Sequence, residues 1–124
     1  MRIFKNRWFL RFASAEGIDN AALCKAIDDV ERGLIDANLG GGVIKQRIAR
    51  KGEGTSGGFR SIVVYRRGDR AFFVFGFPKH RTANIKKDEL VAFKKLAKEL
   101  LALSGPQIEK MKQNGALTEV TCNG

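Results

Sequence analysis

The stretch GEGTSGGFR, Gly52 to Arg60, decides how the chain is read. Its first six residues fit G-x-G-x-x-G, the spacing that cradles a pyrophosphate in dinucleotide-binding domains and the ATP phosphates in protein kinases. A dinucleotide fingerprint needs a strand before the glycines and a helix after them, because the helix N-terminus holds the phosphate. Here VIKQRIAR (43–50) precedes the glycines and FRSIVVYR (59–66) follows, with AFFVFGF (71–77) beyond RRGDR, and all three runs read as strands. A kinase loop does sit between two strands, but no H-R-D or D-F-G occurs, and 124 residues cannot hold a kinase. Gly52, Gly54, Gly57 and Gly58 are therefore read as hairpin glycines, needed for positive φ or for close approach of a ligand to the backbone. No nucleotide cofactor is expected.

Working outward, the three runs predict an antiparallel meander. The middle of the second and all of the third are apolar on both alternations, as in strands covered on both faces. Arg2 to Phe4 reads as a short first strand, and NRWFLRFASAEG as a helix with Trp8, Phe9 and Phe12 on one core-packing face. Asp19 is a plausible N-cap for a second helix through Arg32, with Gly33 after it; Gly40 to Gly42 then break the chain. Asp88 is expected to cap a third helix, whose stripe Leu90, Phe93, Leu96, Ala97, Leu100 and Leu101 is stopped by Gly105-Pro106. QIEKMKQN offers a short possible helix, and LTEV a weak edge strand. The expected fold class is α+β, a small antiparallel meander with two N-terminal helices and one C-terminal helix packed on it, in a single domain over residues 1–124.

No apolar run approaches the roughly 20 residues of a membrane span, and the N-terminus lacks a secretory core, so the expected location is the cytoplasm and no membrane partner is expected. Cys24 and Cys122 stand far apart without a C-x-x-C partner, which favours a buried thiol and a tail thiol over a disulfide or a zinc site.

The formal net charge is +10, and it is segregated. Residues 1–40 hold six Lys/Arg and six Asp/Glu, and residues 88–124 hold five of each. Residues 41–87 carry twelve cations against Glu53 and Asp69. Segregation on this scale costs self-repulsion in the folded state, so an anionic partner, with nucleic acid the commonest, explains it better than a solvated face does. No helix carries the excess, which argues against a recognition helix in a DNA major groove and leaves a non-catalytic nucleic-acid-binding module as a lesser alternative.

Alternation puts Lys45 and Arg47 on one strand face, with Ile44 and Ile48 on the other. Arg60 opens the next strand, and PKHRTAN brings Lys79, His80 and Arg81 to the end of the third. Converged on one face, these residues suit a phosphodiester. When an RNA 2′-hydroxyl attacks the neighbouring phosphate, cations stabilise the phosphorane, and a group titrating near neutrality such as His80, or a lysine depressed by other cations, can move protons.

The succession LGGGVIKQRIARKGEGTSGGFRSI, AFFVFGFPKHRTANI and DELVAFKKLAKEL resembles the RelE-type toxins of bacterial toxin–antitoxin systems, in the subgroup that includes HigB-like proteins. The resemblance extends over most of residues 2–120. It implies two helices packed on an antiparallel sheet, a ribosome-dependent endoribonuclease that cleaves messenger RNA in the A site, and a cognate antitoxin as partner; the many cations, with no cluster of carboxylates or Cys/His at ligand spacing, make metal-independent cleavage the expectation. Carried over by position, it assigns catalysis to Lys45, Arg47, Arg60, Lys79, His80 and Arg81. Arg50, Lys51, Arg66, Lys86 and Lys87 are the expected RNA-binding cations around them. Thr55 stands where the subgroup pattern has lysine, Phe59 where it has tyrosine, and the chain's only tyrosine, Tyr65, lies inside a strand. The alternative within the same fold is a ParE-like toxin that poisons gyrase without nuclease chemistry.

Overall fold

The structure, a computed structural model, describes residues 1–50, 54–79 and 85–123. The chain runs β1 (Arg2–Asn6), α1 (Arg7–Glu16), α2 (Asn20–Glu31), β2 (Ala37–Gly40), β3 (Val43–Arg50), β4 (Gly54–Arg66), β5 (Arg70–Pro78), α3 (Lys87–Leu101), α4 (Gly105–Gln113) and β6 (Leu117–Val120). The strands form one sheet in the order β2-β3-β4-β5-β1-β6.

The meander is present, with β3, β4 and β5 paired antiparallel. The sheet as a whole is mixed, however, because β1 lies parallel to β5, Phe4 opposite Phe72, and β6 closes the far edge antiparallel to β1. That corrects the all-antiparallel expectation. Returning the N-terminal strand to the sheet interior buries Phe4 against Phe72, ring centroids 5.1 Å apart, a non-local pairing no local pattern announces.

Helices cover both faces. On one, α1 and α2 bury Phe9, Leu23, Ala26, Ile27 and Val30 against Ile44, Ile48, Phe59, Val63 and Phe73. On the other, Ala97 and Leu100 of α3 and Ile108 of α4 meet Val43, Ile62, Val64, Phe72 and Val74. The double apolar alternation of β4 and β5 reflects this two-sided burial. Two helices, not one, thus follow the meander.

Capping explains the helix bounds. Asn6 accepts from the Phe9 N–H (2.8 Å) and Asp19 from that of Ala22 (2.9 Å). Gly17 ends α1 in the left-handed conformation. The N-cap of α3 is Lys86 rather than Asp88; Glu89 accepts from the Lys86 N–H at 3.0 Å, and Asp88 lies in the first turn. Ser104 and Gln107 form a capping box that starts α4. In α1, Phe9 is buried, but Trp8 is 41% exposed and lies against Phe75, so the aromatic face is only partly core.

The cysteine expectation is corrected: Cys24 of α2 and Cys122, just past β6, are bonded to each other. Their separation of 98 residues concealed the pairing, which follows once β6 lies beside β1 and under α2.

Candidate phosphate-binding site

Of the glycines in the opening stretch, Gly54, Gly57 and Gly58 lie within β4, and Gly58 has no positive φ. At Gly58 a Cβ would stand 1.9 Å from the Ile48 carbonyl oxygen of β3, where the ladder shifts register between Ile48 and Arg50. At Gly58 the close approach is thus to the protein's own backbone. Gly52 lies outside the described residues. Positive φ is found instead at Gly40, Gly41 and Gly42 among others, and these three turn β2 into β3.

That turn carries the segment before β2 alongside β3. Ala37 pairs with Lys45, so Asp36 comes level with Gln46 and within reach of the basic side chains. Arg47 pairs directly with Arg60 across β3 and β4, which puts both guanidinium groups and Lys45 on one face. All three converge on the Asp36 carboxylate. Arg47 Nε lies 3.2 Å from Oδ1, Arg60 Nε 3.4 Å from Oδ2, and Lys45 Nζ 3.9 Å from Oδ2. The Asp36 side chain is 14% exposed and that of Arg60 16%, while Arg47 is 48% exposed. Arg60 Nη1 is buried and, among the described residues, has no hydrogen-bond partner. An open depression of about 380 Å³ adjoins the cluster, lined by Asp29, Leu34, Ile35, Asp36, Gln46 and Arg47.

Around this cluster the remaining candidates divide. The Arg50 guanidinium lies over the Phe59 ring, 4.7 Å from its centroid. Lys79 is exposed, and its backbone N–H donates to the Gly58 carbonyl (3.1 Å), so it leaves the sheet at the Arg60 end. Lys86 and Lys87 stand at the start of α3. Arg66 is at the opposite end of β4, paired with Asp69 at 2.6 Å. Lys51, His80 and Arg81 lie outside the described residues. Tyr65 is a structural residue: its hydroxyl donates to Glu31, and burial, followed by that carboxylate, pushes it up to about 12.

Asp36 is the site residue that sequence reasoning missed. Its signal was present in the Gly40–Gly42 hairpin, which, once drawn, sets residue 36 against residue 46. Among the described residues no group of three His, Cys, Asp or Glu is placed to hold a metal ion. The chemistry on offer is anion binding by fixed side-chain cations with one shared counterion.

A mixed sheet between helix layers, with a cluster of three cations around one carboxylate on its central hairpin, defines a small α+β protein. Residues 1–120 match the family model described as RelE toxin of the RelE / RelB toxin–antitoxin system, and the chain belongs to that family. Its role is that of a toxin whose partner is an antitoxin. No curated protein matches the chain. Among the described residues no helix is long and apolar enough to cross a membrane.

Proposed function

We propose that this toxin is a metal-independent, ribosome-dependent endoribonuclease of the HigB-like subgroup, a single cytoplasmic domain that inhibits translation by cutting messenger RNA in the ribosomal A site. The observation that carries the reading is the convergence of Lys45, Arg47 and Arg60 on one point. A gyrase inhibitor has no need of a clustered phosphate site, whereas a ribonuclease does.

In the proposed reaction the 2′-hydroxyl loses its proton to a base and attacks the adjacent phosphorus. The P–O5′ bond breaks, and an acid protonates the departing 5′-oxygen, leaving a 2′,3′-cyclic phosphate and a 5′-hydroxyl. Arg60 and Arg47 stabilise charge on the phosphorane with planar forks suited to two oxygens, and Lys45 adds a compact charge. His80, with Lys79 and Arg81 beside it in sequence, is the proposed proton carrier on the leaving-group side. Arg50, Lys51, Lys86 and Lys87 would hold flanking phosphates, and the family's antitoxin would silence the activity.

Pulse labelling after induced expression tests this reading. Protein synthesis is expected to stop before DNA synthesis, with new cyclic-phosphate ends on messenger RNA. DNA synthesis stopping first, with messenger RNA intact, would replace it with the gyrase reading.

A further inference from the structure

At the centre of the three cations lies a carboxylate, Asp36. We propose, on the basis of the nuclease reading above, that Asp36 is a positioning residue: a built-in anion that holds Lys45, Arg47 and Arg60 converged before substrate arrives and slows cleavage when its charge is removed.

Asp36 is fixed from behind. Its backbone N–H donates to Gln46 Oε1 at 3.0 Å. Gln46 is itself buried, and its amide nitrogen donates to the carbonyls of Leu34 (2.9 Å) and Ala26 (3.3 Å). A buried amide is tolerated only when it is satisfied in this way, so β3 uses Gln46 to hold the Leu34–Asp36 segment in place. On the front, three cations surround the carboxylate. They carry far more N–H donors than one carboxylate can accept, and Arg60 Nη1 remains unused, so the cluster keeps capacity for a second anion.

Without the carboxylate, three like charges would repel one another. The half-exposed Arg47 would gain most by turning to water. With it, the guanidinium groups are aimed before the phosphate binds, which is what electrostatic preorganisation requires. The same carboxylate repels an incoming phosphate. Asp36 therefore weakens ground-state binding while favouring the transition state, and its removal should move affinity and rate in opposite directions.

The test compares the wild type with Asp36→Asn, which keeps the shape and the backbone bond to Gln46. Affinity is measured on ribosomes programmed with a messenger carrying 2′-deoxy residues in the A-site codon, and rate by single-turnover cleavage of the all-ribose messenger. The expected result is binding about three- to tenfold tighter with cleavage about ten- to thirtyfold slower. Asp36→Glu, which restores the charge, should return both to within about threefold of wild type. Asp36→Ser replaces the asparagine variant if that variant loses its melting temperature. Unchanged cleavage, affinity and rate falling together, or a glutamate variant that behaves like the asparagine one would each overturn the assignment. A wild type that cleaves nothing would sink the nuclease reading instead; the deoxy-messenger affinity would then judge Asp36 alone, with tightening supporting it and no change overturning it.

Discussion

At the Arg66 end of β4, Arg66, Arg70 and Arg2 meet partners that use them up. Arg66 and Arg70 share Asp69, and Arg70 Nη1 also donates to the Leu103 carbonyl at 2.6 Å. Arg2, level with Arg70 in the sheet, is held by Glu109 and Glu119, which also bind Lys112. At the Arg60 end, three cations divide one carboxylate, Lys79 stands exposed nearby, and a buried guanidinium nitrogen has no partner among the described residues. Residue type does not separate the two ends; acceptor supply does. Cations matched by acceptors tie strands and helices together, and cations in excess over acceptors make a place for a foreign anion.

The comparison can be broken by damaging each end and reading stability and activity separately. The largest effect on stability is expected from the Arg66 end, where the Cys24–Cys122 bond closes its loop beside Met1 and Ile3. Cys24→Ser should cost about 5 kcal/mol on the chain-entropy model, read by denaturant unfolding, while single-turnover cleavage at a temperature where the variant is folded stays within about twofold of wild type. A loss of cleavage in the folded variant would mean that the two ends are coupled.

A glycine pair gives the next contrast. Gly58→Ala pushes a Cβ onto the Ile48 carbonyl oxygen and forces β3 and β4 apart beside Arg47 and Arg60, which should cost about 3 kcal/mol and most of the cleavage. Gly68→Ala, in the turn after Arg66 at φ +71° with nothing near its Cβ, should cost about 1 kcal/mol of left-handed strain and leave cleavage intact. Equal losses from the two would erase the difference between the ends.

Acid supplies the smallest effect. The hydrogen bond from Arg2, helped by Lys112, holds Glu119 down at about 2, below its ordinary 4.5. Because the folded value is the lower one, the stabilisation is complete above pH 4.5 and is lost as pH falls towards 2. After solvent screening it should amount to about 1–2 kcal/mol. Glu119→Gln should flatten that part of the melting-temperature profile; an unchanged slope would show that the network contributes nothing there.

Much of this molecule was legible in local pattern. The bounds of β3, the Asp19 cap, the apolar stripe of α3 and the basic middle segment all follow from neighbours in sequence. What was not legible is contributed from a distance. The parallel partnership of β1 with β5 joins residues about 70 positions apart, and the disulfide spans 98. Asp36 was hidden differently: residues 1–40 balance in charge, so an acid that leaves its segment to meet the cations of β3 and β4 looked like part of a neutral surface.

The central claim is that position, and not charge alone, makes a cation part of the site, and Arg60→Ala against Arg66→Ala tests it most directly. Arg66 ends β4, whereas Arg60, expected to open that strand, lies midway along it because β4 starts at Gly54; the two are on the same face by alternation and roughly 20 Å apart at strand rise. Single-turnover cleavage on programmed ribosomes, with thermal melts confirming that both variants fold, should show Arg60→Ala slowed about a hundredfold, some 3 kcal/mol of lost transition-state stabilisation. Arg66→Ala should stay within about threefold of wild type. Equal losses in the two variants would mean that the basic surface acts as a diffuse whole, and the convergence on Asp36 would not mark an active site.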